Sequence, residues 1–332
     1  MKNEILRVKL GRINMPFHFK QNEDIASGVR RILTEQCGTI REGLSGATSA
    51  DCDEPIHAAR KCCKRLRALL RLIRPAIGKE RYKQHNRFLR DLARRIAGPR
   101  DAFVILRTWN RLVNSWKSES PVEDAELPAA IRSILSRRYS ISKQETVEHE
   151  DQLERVAADI AGFQSRLHEL PLDKLTWPNL AKGLRKQYKR NLKAMTAAEK
   201  TPTFETYHEW RKKVKYLWHQ IELFVPCQED ALSPVARKLH KLSDCLGEDH
   251  DLAVLLNVLE TEAAPKVDPA DLAAIRSDIE RRQARLRKKA RKLGGGLYED
   301  TPGKFVERIE NLSFAGTAAS FPAGQPDIRG KM

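Results

Sequence analysis

A long stretch of the sequence recurs about 150 residues further along the chain, and this repeat limits the possible folds more than any other feature. Three segments of the first half return in the same order in the second: residues 57–75 as 208–226, residues 97–106 as 247–256, and residues 28–31 as 183–186. The offset is 151 for the longest match and 150 for the next. A repeat of this length predicts a tandem pair of similar units, since solenoid arrays repeat at much shorter periods.

The chain is predicted to be all-α. Helical periodicity dominates from about residue 20 to 293, and no segment alternates with the period of two that is typical of a strand. Proline and glycine clusters divide this region into about ten helices, with a long one near 126–169. The predicted units are residues 15–170 and 171–300. A tail, 301–332, is expected to be mostly flexible apart from a short helix over 304–312.

The longest repeat carries the pattern His-x-x-Arg-Lys-x-x-Lys at the start of a helix in both copies. On a helix, these positions share one face while the apolar residues share the opposite one. A third basic face is predicted on the helix over 179–198, and it includes Lys193. The candidate anion-binding residues are Arg30, Arg31, His57, Arg60, Lys61, Lys64, Arg67, Arg71, Lys182, Arg185, Lys186, Lys189, His208, Arg211, Lys212, Lys215 and His219.

The positive charge of the chain is concentrated on these faces. Lys and Arg number 61 against 44 Asp and Glu, a net charge of +17. Solvated helices usually relieve like charges with acids one turn away, yet residues 57–74 contain seven cations and no carboxylate. Because that repulsion recurs in both copies, an anionic partner is favoured over a merely solvated face.

Other classes of protein are disfavoured by the sequence. It has no apolar run long enough to span a membrane, and the residues after Met1 lack a secretion signal, so we expect a cytoplasmic protein. The six cysteines form no metal or disulfide pattern. Adjacent Cys62 and Cys63 could form a metal or redox pair, but small buried apolar residues are the favoured interpretation.

The sequence shows no sign of catalysis, and neither a cofactor nor a metal is expected. It lacks paired carboxylates and a phosphate-binding G-x-x-x-x-G-K-[ST] loop. The acidic run Glu248-Asp249-His250-Asp251 reads as a junction before a helix more readily than as a metal site. Asp101 and Asp251 are interpreted as helix caps or salt-bridge partners.

The repeated motif resembles that of the CHAD domain, the conserved histidine α-helical domain, and the resemblance covers about residues 15–300. It implies two four-helix-type bundles, related by pseudo-two-fold symmetry around a basic central cavity or pore. It also implies binding of long-chain inorganic polyphosphate, often at polyphosphate granules. The Glu-x-Glu-x-Lys mark of the triphosphate tunnel (CYTH) domain, to which CHAD domains are often fused, is absent from this sequence. The second copy departs at Trp218 and Glu222, where the first has Arg67 and Arg71.

Two questions stay open at this stage. The same basic faces, with a pI of about 9.7, are compatible with nucleic-acid binding, although few aromatic residues interleave them for base stacking. The repeated histidines, His57 and His208, also raise the hypothesis that a bound polyanion raises their pKa, so that affinity strengthens as the pH falls.

Overall fold

The chain folds into helices joined by short connections. The computed structural model describes residues 17–21, 23–48, 51–119, 126–148, 152–227 and 229–314, and these contain no strand. The α-helices are α1 (Ile25–Leu44), α2 (Asp53–Leu72), α3 (Arg74–Ile77), α4 (Lys79–Arg95), α5 (Gly98–Glu119), α6 (Glu126–Glu148), α7 (Gln152–His168), α8 (Trp177–Lys200), α9 (Phe204–Glu222), α10 (Glu229–Val258), α11 (Pro269–Gly295) and α12 (Pro302–Phe314).

The all-α prediction is confirmed. The long helix expected near 126–169 is instead α6 and α7, and residues 149–151 between them lie outside the described residues. The short helix expected over 304–312 is found as α12. The rest of the predicted tail, 315–332, is outside the described residues. Every described helix is too short or too polar to cross a bilayer.

Two apolar cores hold the helices together. The larger includes Leu66, Phe163 and Trp210 and draws on α1, α2, α4 and on α7 to α10. The smaller is formed by side chains such as Trp109 and Leu135 from α5 and α6, with Leu255 and Ile279 from α10 and α11. Both cores therefore take side chains from either side of residue 170, and the two repeated segments bury apolar surface in common.

Helices α2 and α9, which carry the repeated basic motif, contact each other. The side-chain amide of Gln220 on α9 donates to the carbonyl of Ala68 on α2, with a nitrogen–oxygen distance of 3.0 Å. Helices α5 and α10, which carry the second repeated segment, also contact each other. The fold thus brings matching segments from distant parts of the sequence together.

The cysteines of the core are thiols. Cys62 and Cys63 are both buried and free, and burial is the main cause that raises their pKa, to about 11 and about 12. Such thiols stay protonated at neutral pH and behave as small apolar groups. The interpretation of this pair as buried apolar residues is confirmed.

Candidate functional site

Helix α2 presents a row of basic side chains because the opposite side of the helix is apolar. Ile56, Ala59, Cys63 and Leu66 recur at helical spacing and are buried. The basic residues of the other face, all at least partly exposed, are His57, Arg60, Lys61, Lys64, Arg67 and Arg71. Burial of the apolar face therefore fixes the direction in which the cationic groups point.

Helix α9 presents its row in the same way. It begins after Thr203, whose hydroxyl accepts from the amide of Thr206 at 3.3 Å while the Thr206 hydroxyl accepts from the amide of Thr203 at 3.1 Å. Trp210, Val214 and Leu217 bury one face. The half-buried basic residues on the other are His208, Arg211, Lys212 and Lys215.

The two rows meet in a group of cations, which we call the central cluster. Lys64 of α2 lies near enough to Lys215 and Arg211 of α9 for their charges to act on its amine. Arginines of α5 join them, since their charges act on His57 of α2 and on Asp251 of α10. The central cluster consists of Arg60, Lys64, Arg100, Arg107, Arg211 and Lys215.

Carboxylates brace the central cluster without neutralising it. Arg60 forms a salt bridge with Asp101 at 2.9 Å, which confirms the interpretation of Asp101 as a salt-bridge partner. Asp251 lies among Arg211, Arg107 and Lys215, although burial is the largest influence on its pKa and raises it. Glu54 also acts on Arg100 and Asp244 on Lys215, so four carboxylates lie beside six cations and the cluster keeps a positive excess.

This crowding lowers the pKa of both lysines. Burial is the main cause, and neighbouring cations add to it, so the pKa of Lys64 falls to about 7 and that of Lys215 to about 8. The Lys64 side chain is nevertheless exposed by surface area. A recess that admits water but is surrounded by protein accounts for both observations, because solvation is reduced there without the group being covered.

Arg211 contributes an unsatisfied donor to the cluster. Its Nε is buried and has no hydrogen-bond partner among the described residues. Burying an unpaired donor is unfavourable, more so for a charged group. An anionic oxygen arriving at the cluster would relieve that cost.

A second group of cations, the distal cluster, lies where α2 ends. Arg71 stacks over Tyr216 at 4.2 Å and over Tyr82 at 5.4 Å, and Arg74 stacks over Tyr82 at 5.1 Å. Helix α8 adds further cations, whose charges act on one another and on these arginines. The distal cluster consists of Arg71, Arg74, Lys182, Lys186 and Arg190.

The assignment of His219 to the basic face of α9 is wrong. His219 is 3% exposed and its Nδ1 lies 2.8 Å from a carboxylate oxygen of Glu222. Its ring contacts Phe17 edge-on. The physical reason is that the chain segment containing Phe17 packs over this end of α9, and helical spacing alone does not reveal such a covering segment.

The remaining candidates are not members of the two clusters, and three of them, Arg30, Arg31 and Lys212, are engaged by carboxylates. Arg31 pairs with Glu23 at 2.6 Å and Glu35 at 2.9 Å, and Arg30 pairs with Asp173 at 2.7 Å. These arginines tie α1 to neighbouring segments. Lys61 lies beside His57, and Lys212 is engaged by Glu209. Arg185 and Lys189 are exposed on α8, outside the charges that act on the distal cluster.

The repeated histidines are neutral in the unliganded fold. Burial, with the charge of Arg100 next in importance, lowers the pKa of His57 to about 4. Burial likewise lowers the pKa of His208, whose Nδ1 lies 3.1 Å from Nδ1 of His250. Near pH 7 these rings offer hydrogen bonds and aromatic surface without a positive charge.

Several members of the clusters were missed by sequence reasoning. They are Arg74, Arg100, Arg107 and Arg190, although Arg100 stands in the repeated segment 97–106 and Arg190 on the helix with the third predicted basic face. A signal existed for Arg107, which follows Arg100 by seven residues and so shares its helix face, and for Arg74, which ends the run of seven cations. Nothing in the sequence points to Tyr82 or Tyr216 as the aromatic faces beneath the distal arginines, since these contacts join separate elements.

The acidic run Glu248-Asp249-His250-Asp251 lies inside α10, so its interpretation as a junction before a helix is wrong. Asp249 accepts from Nε of Arg287 at 2.8 Å, joining α10 to α11. Within the described ranges, no three His, Cys, Asp or Glu side chains are grouped so that they could hold a metal ion.

The sequence and the fold of this chain are similar to those of known proteins. The model of the CHAD domain family matches residues 31–260. A crystal structure of the CHAD domain from the plant Ricinus communis superposes with a TM-score of 0.63 and 18% identity, covering 86% of this chain and 96% of that one. PptA from Streptomyces chartreusis matches with a TM-score of 0.56 and 15% identity, covering 82% and 98%. No curated protein matches the sequence. At these identities, the two structures support the fold alone.

Proposed function

This chain belongs to the CHAD domain family, and we propose that it binds long-chain inorganic polyphosphate without hydrolysing it. The family is associated with polyphosphate binding. The observation that carries the proposal for this chain is the central cluster, in which two separate basic helices and α5 direct cations to one place. Location at polyphosphate granules in the cytoplasm is part of the same proposal.

The cluster suits a ligand that carries charge and no other recognisable groups. Polyphosphate offers about one negative charge per phosphate and no bases. Arg forks and Lys ammonium groups bind phosphate oxygens through charge-assisted hydrogen bonds, which are stronger than neutral ones. The open donor of Arg211 and the mutually repelling Lys64 and Lys215 are both stabilised by an added anion.

We infer that the two repeated segments line the central cluster from opposite sides. The family resemblance implies this arrangement, because it implies two bundles related by pseudo-two-fold symmetry. Two related contacts, one direct and one through Phe19, support the inference. Gly183 of the second unit packs on Leu72 of the first, while Phe19, which packs on Gly28 of the first unit, donates its amide to Leu223 of the second at 2.9 Å. Positions 72 and 223 correspond at the offset of 151.

Replacing Lys64 and Lys215 together by Ala tests the site. Because each lysine contributes a charge-assisted contact of roughly 1.5–3 kcal/mol, we expect affinity for long-chain polyphosphate, measured by titration calorimetry, to fall at least about tenfold. The matched control is Lys200→Ala with Lys238→Ala, which removes two exposed lysines outside both clusters. Undiminished affinity in the first double variant would place the binding site elsewhere.

Competition separates this proposal from nucleic-acid binding. Sugars separate the phosphates of a nucleic-acid strand, so a strand brings less charge into the cluster than polyphosphate of the same length. Displacement of long polyphosphate by single-stranded or duplex nucleic acid at equal phosphate concentration would overturn the preference. Release of phosphate in the presence of Mg²⁺ or Mn²⁺ would contradict the non-catalytic part of the proposal.

A further inference from the structure

Phe204, at the start of α9, is a large apolar side chain left in contact with solvent. It is 37% exposed, and Ile141, at 45%, is the other exposed large apolar side chain among the described residues. The Phe204 ring lies nearly parallel to the rings of His208 and His250, at 18° and 15°, with centroids 5.8 and 5.4 Å away. The three rings form what we call the aromatic platform.

One face of the Phe204 ring is not covered by the two imidazoles. Rings stacked on opposite faces would be separated by at least about 7 Å, twice the contact distance between carbon atoms. The centroids of His208 and His250 are only 4.5 Å apart. Both imidazoles therefore lie on the same side of Phe204, and no aromatic ring of the described residues is stacked on its opposite face.

The platform is peculiar to the second copy of the repeat. Position 53 corresponds to Phe204 and position 100 to His250, and these are Asp and Arg. Asp53 accepts from the hydroxyl of Tyr139 at 2.6 Å and from the amine of Lys143 at 2.8 Å, so the first copy has a polar network at this place. Because the equivalent position folds without an aromatic ring, the fold itself does not require one at 204.

The platform adjoins the central cluster. The charges of Arg211, Lys215 and Lys64 act on the imidazole of His250. Along α9, Arg211 is two turns from Phe204, a rise of about 10 Å. Glu209, which lies between them in sequence, is engaged by Lys212 and Lys213. The ring of Phe204 and the cations of the central cluster are thus about as far apart as the base and the outer phosphates of one nucleotide.

We propose that the platform binds an aromatic base, so that this site takes nucleoside polyphosphates as a second class of ligand. The base stacks on the uncovered face of Phe204, and the phosphates bind Arg211 and Lys215. The binding of the phosphates to Arg211 and Lys215 rests on the proposed function. The stacking of the base on Phe204 is a separate interaction and adds its own contribution to affinity. Neutral His208 and His250 support the ring from behind without repelling the base or attracting water to its face.

Titration calorimetry without divalent cations directly tests whether the base stacks on Phe204. ATP and ribose 5-triphosphate carry the same charged groups, and only ATP has a base. Stacking of one base on an aromatic side chain increases affinity by roughly fivefold or more. We expect the wild-type chain to prefer ATP over ribose 5-triphosphate by at least this factor, and Phe204→Ala and Phe204→Leu to reduce the preference to about one. Affinity for ribose 5-triphosphate should stay unchanged.

The control variant is Ile141→Ala, which removes the other exposed apolar side chain and should leave the preference for ATP intact. Equal affinity of the wild-type chain for the two compounds, or a preference that persists in both Phe204 variants, overturns the proposal. Long-chain polyphosphate titrated in parallel reports on the proposed function separately. Its failure to bind, with the ATP preference present, would overturn that function and leave the platform standing.

Discussion

Lys64 and Lys215 show how tertiary contacts change the chemistry of individual residues. An isolated lysine is protonated throughout the neutral range. In this fold burial, followed by the charges of Lys215, Arg60 and Arg211, lowers the pKa of Lys64 to about 7, while burial and the charge of Arg211 lower that of Lys215 to about 8. A fraction of the cluster's charge is therefore absent at neutral pH and can be recruited by an anion.

The affinity for polyphosphate should consequently strengthen as the pH falls from about 9 to about 6. A bound polyanion favours the ammonium form, so binding is hindered above the pKa of the free lysines, about 8 and about 7, and this hindrance disappears below them. Calorimetric titrations across this range, at fixed salt, measure the effect. The control is Lys64→Arg with Lys215→Arg, because Arg stays protonated at every pH used. An identical pH profile in that variant would contradict the assignment to the lysines.

The hypothesis that a bound polyanion raises the pKa of the repeated histidines stays a prediction. With its pKa lowered to about 4, chiefly by burial, His57 is uncharged in the free protein between pH 6 and 7.5. A histidine contribution to the pH dependence therefore requires protons taken up on binding, whereas the lysines already lose part of their charge in the free protein near neutral pH. Helical spacing placed His57 and His208 on the right faces, but it carries no information on how deeply a side chain is surrounded.

Helix α2 tolerates its six cations through partners on other elements. Asp101 of α5 pairs with Arg60, Asn86 of α4 accepts from Nε of Arg67 at 3.0 Å, and the ring of Tyr216 lies under Arg71. Acids one turn away on the same helix, the usual remedy for like charges, are unnecessary with such neighbours. The missing carboxylates therefore reflect packing between helices as well as the anionic ligand that we propose.

The packing of α8 on the end of α2 depends on Gly183. A Cβ built there would lie 2.0 Å from the carbonyl oxygen of Leu72, a backbone atom that cannot rotate away. We expect Gly183→Ala to lower the free energy of unfolding by about 1–3 kcal/mol or more, because α8 must move outward. Urea denaturation followed by circular dichroism measures the change.

Gly38 provides the matched control for this helix contact. It also lies inside a helix, α1, and its added Cβ would meet only the Glu42 carboxylate at 3.9 Å. Gly38→Ala should raise the free energy of unfolding by roughly 0.5–1 kcal/mol through helix propensity. Equal stability of the two variants would show that α8 does not need the close approach.

Across the whole molecule, α2 connects the two cation clusters. Lys64 and Arg74 are ten residues apart in sequence, which corresponds to roughly 15 Å along a helix. A short polyphosphate occupies one cluster, whereas a long one can contact both at once and gains from the second contact without a second loss of translational freedom. The arrangement therefore favours long chains.

Arg74→Ala with Arg190→Ala tests this spanning. Because the distal cluster loses two of its five cations, we expect affinity for long-chain polyphosphate to fall about tenfold, while affinity for tripolyphosphate at the central cluster stays the same. The control is Arg132→Ala with Arg285→Ala, two exposed arginines outside both clusters. A parallel loss for both ligands would indicate a general charge effect instead of a second contact.

The sequence by itself determined the helical class, the repeated basic motif and most of the cationic residues, because hydrophobic periodicity and like-charged spacing are local properties of the chain. It also supported the family, which the match over residues 31–260 confirms. Only the tertiary structure decided that α2 and α9 meet, that Arg100 and Arg107 join them, and that His219 is covered by the segment around Phe17. Those outcomes depend on which helices pack together, and contacts between residues far apart in sequence leave no periodic trace in it.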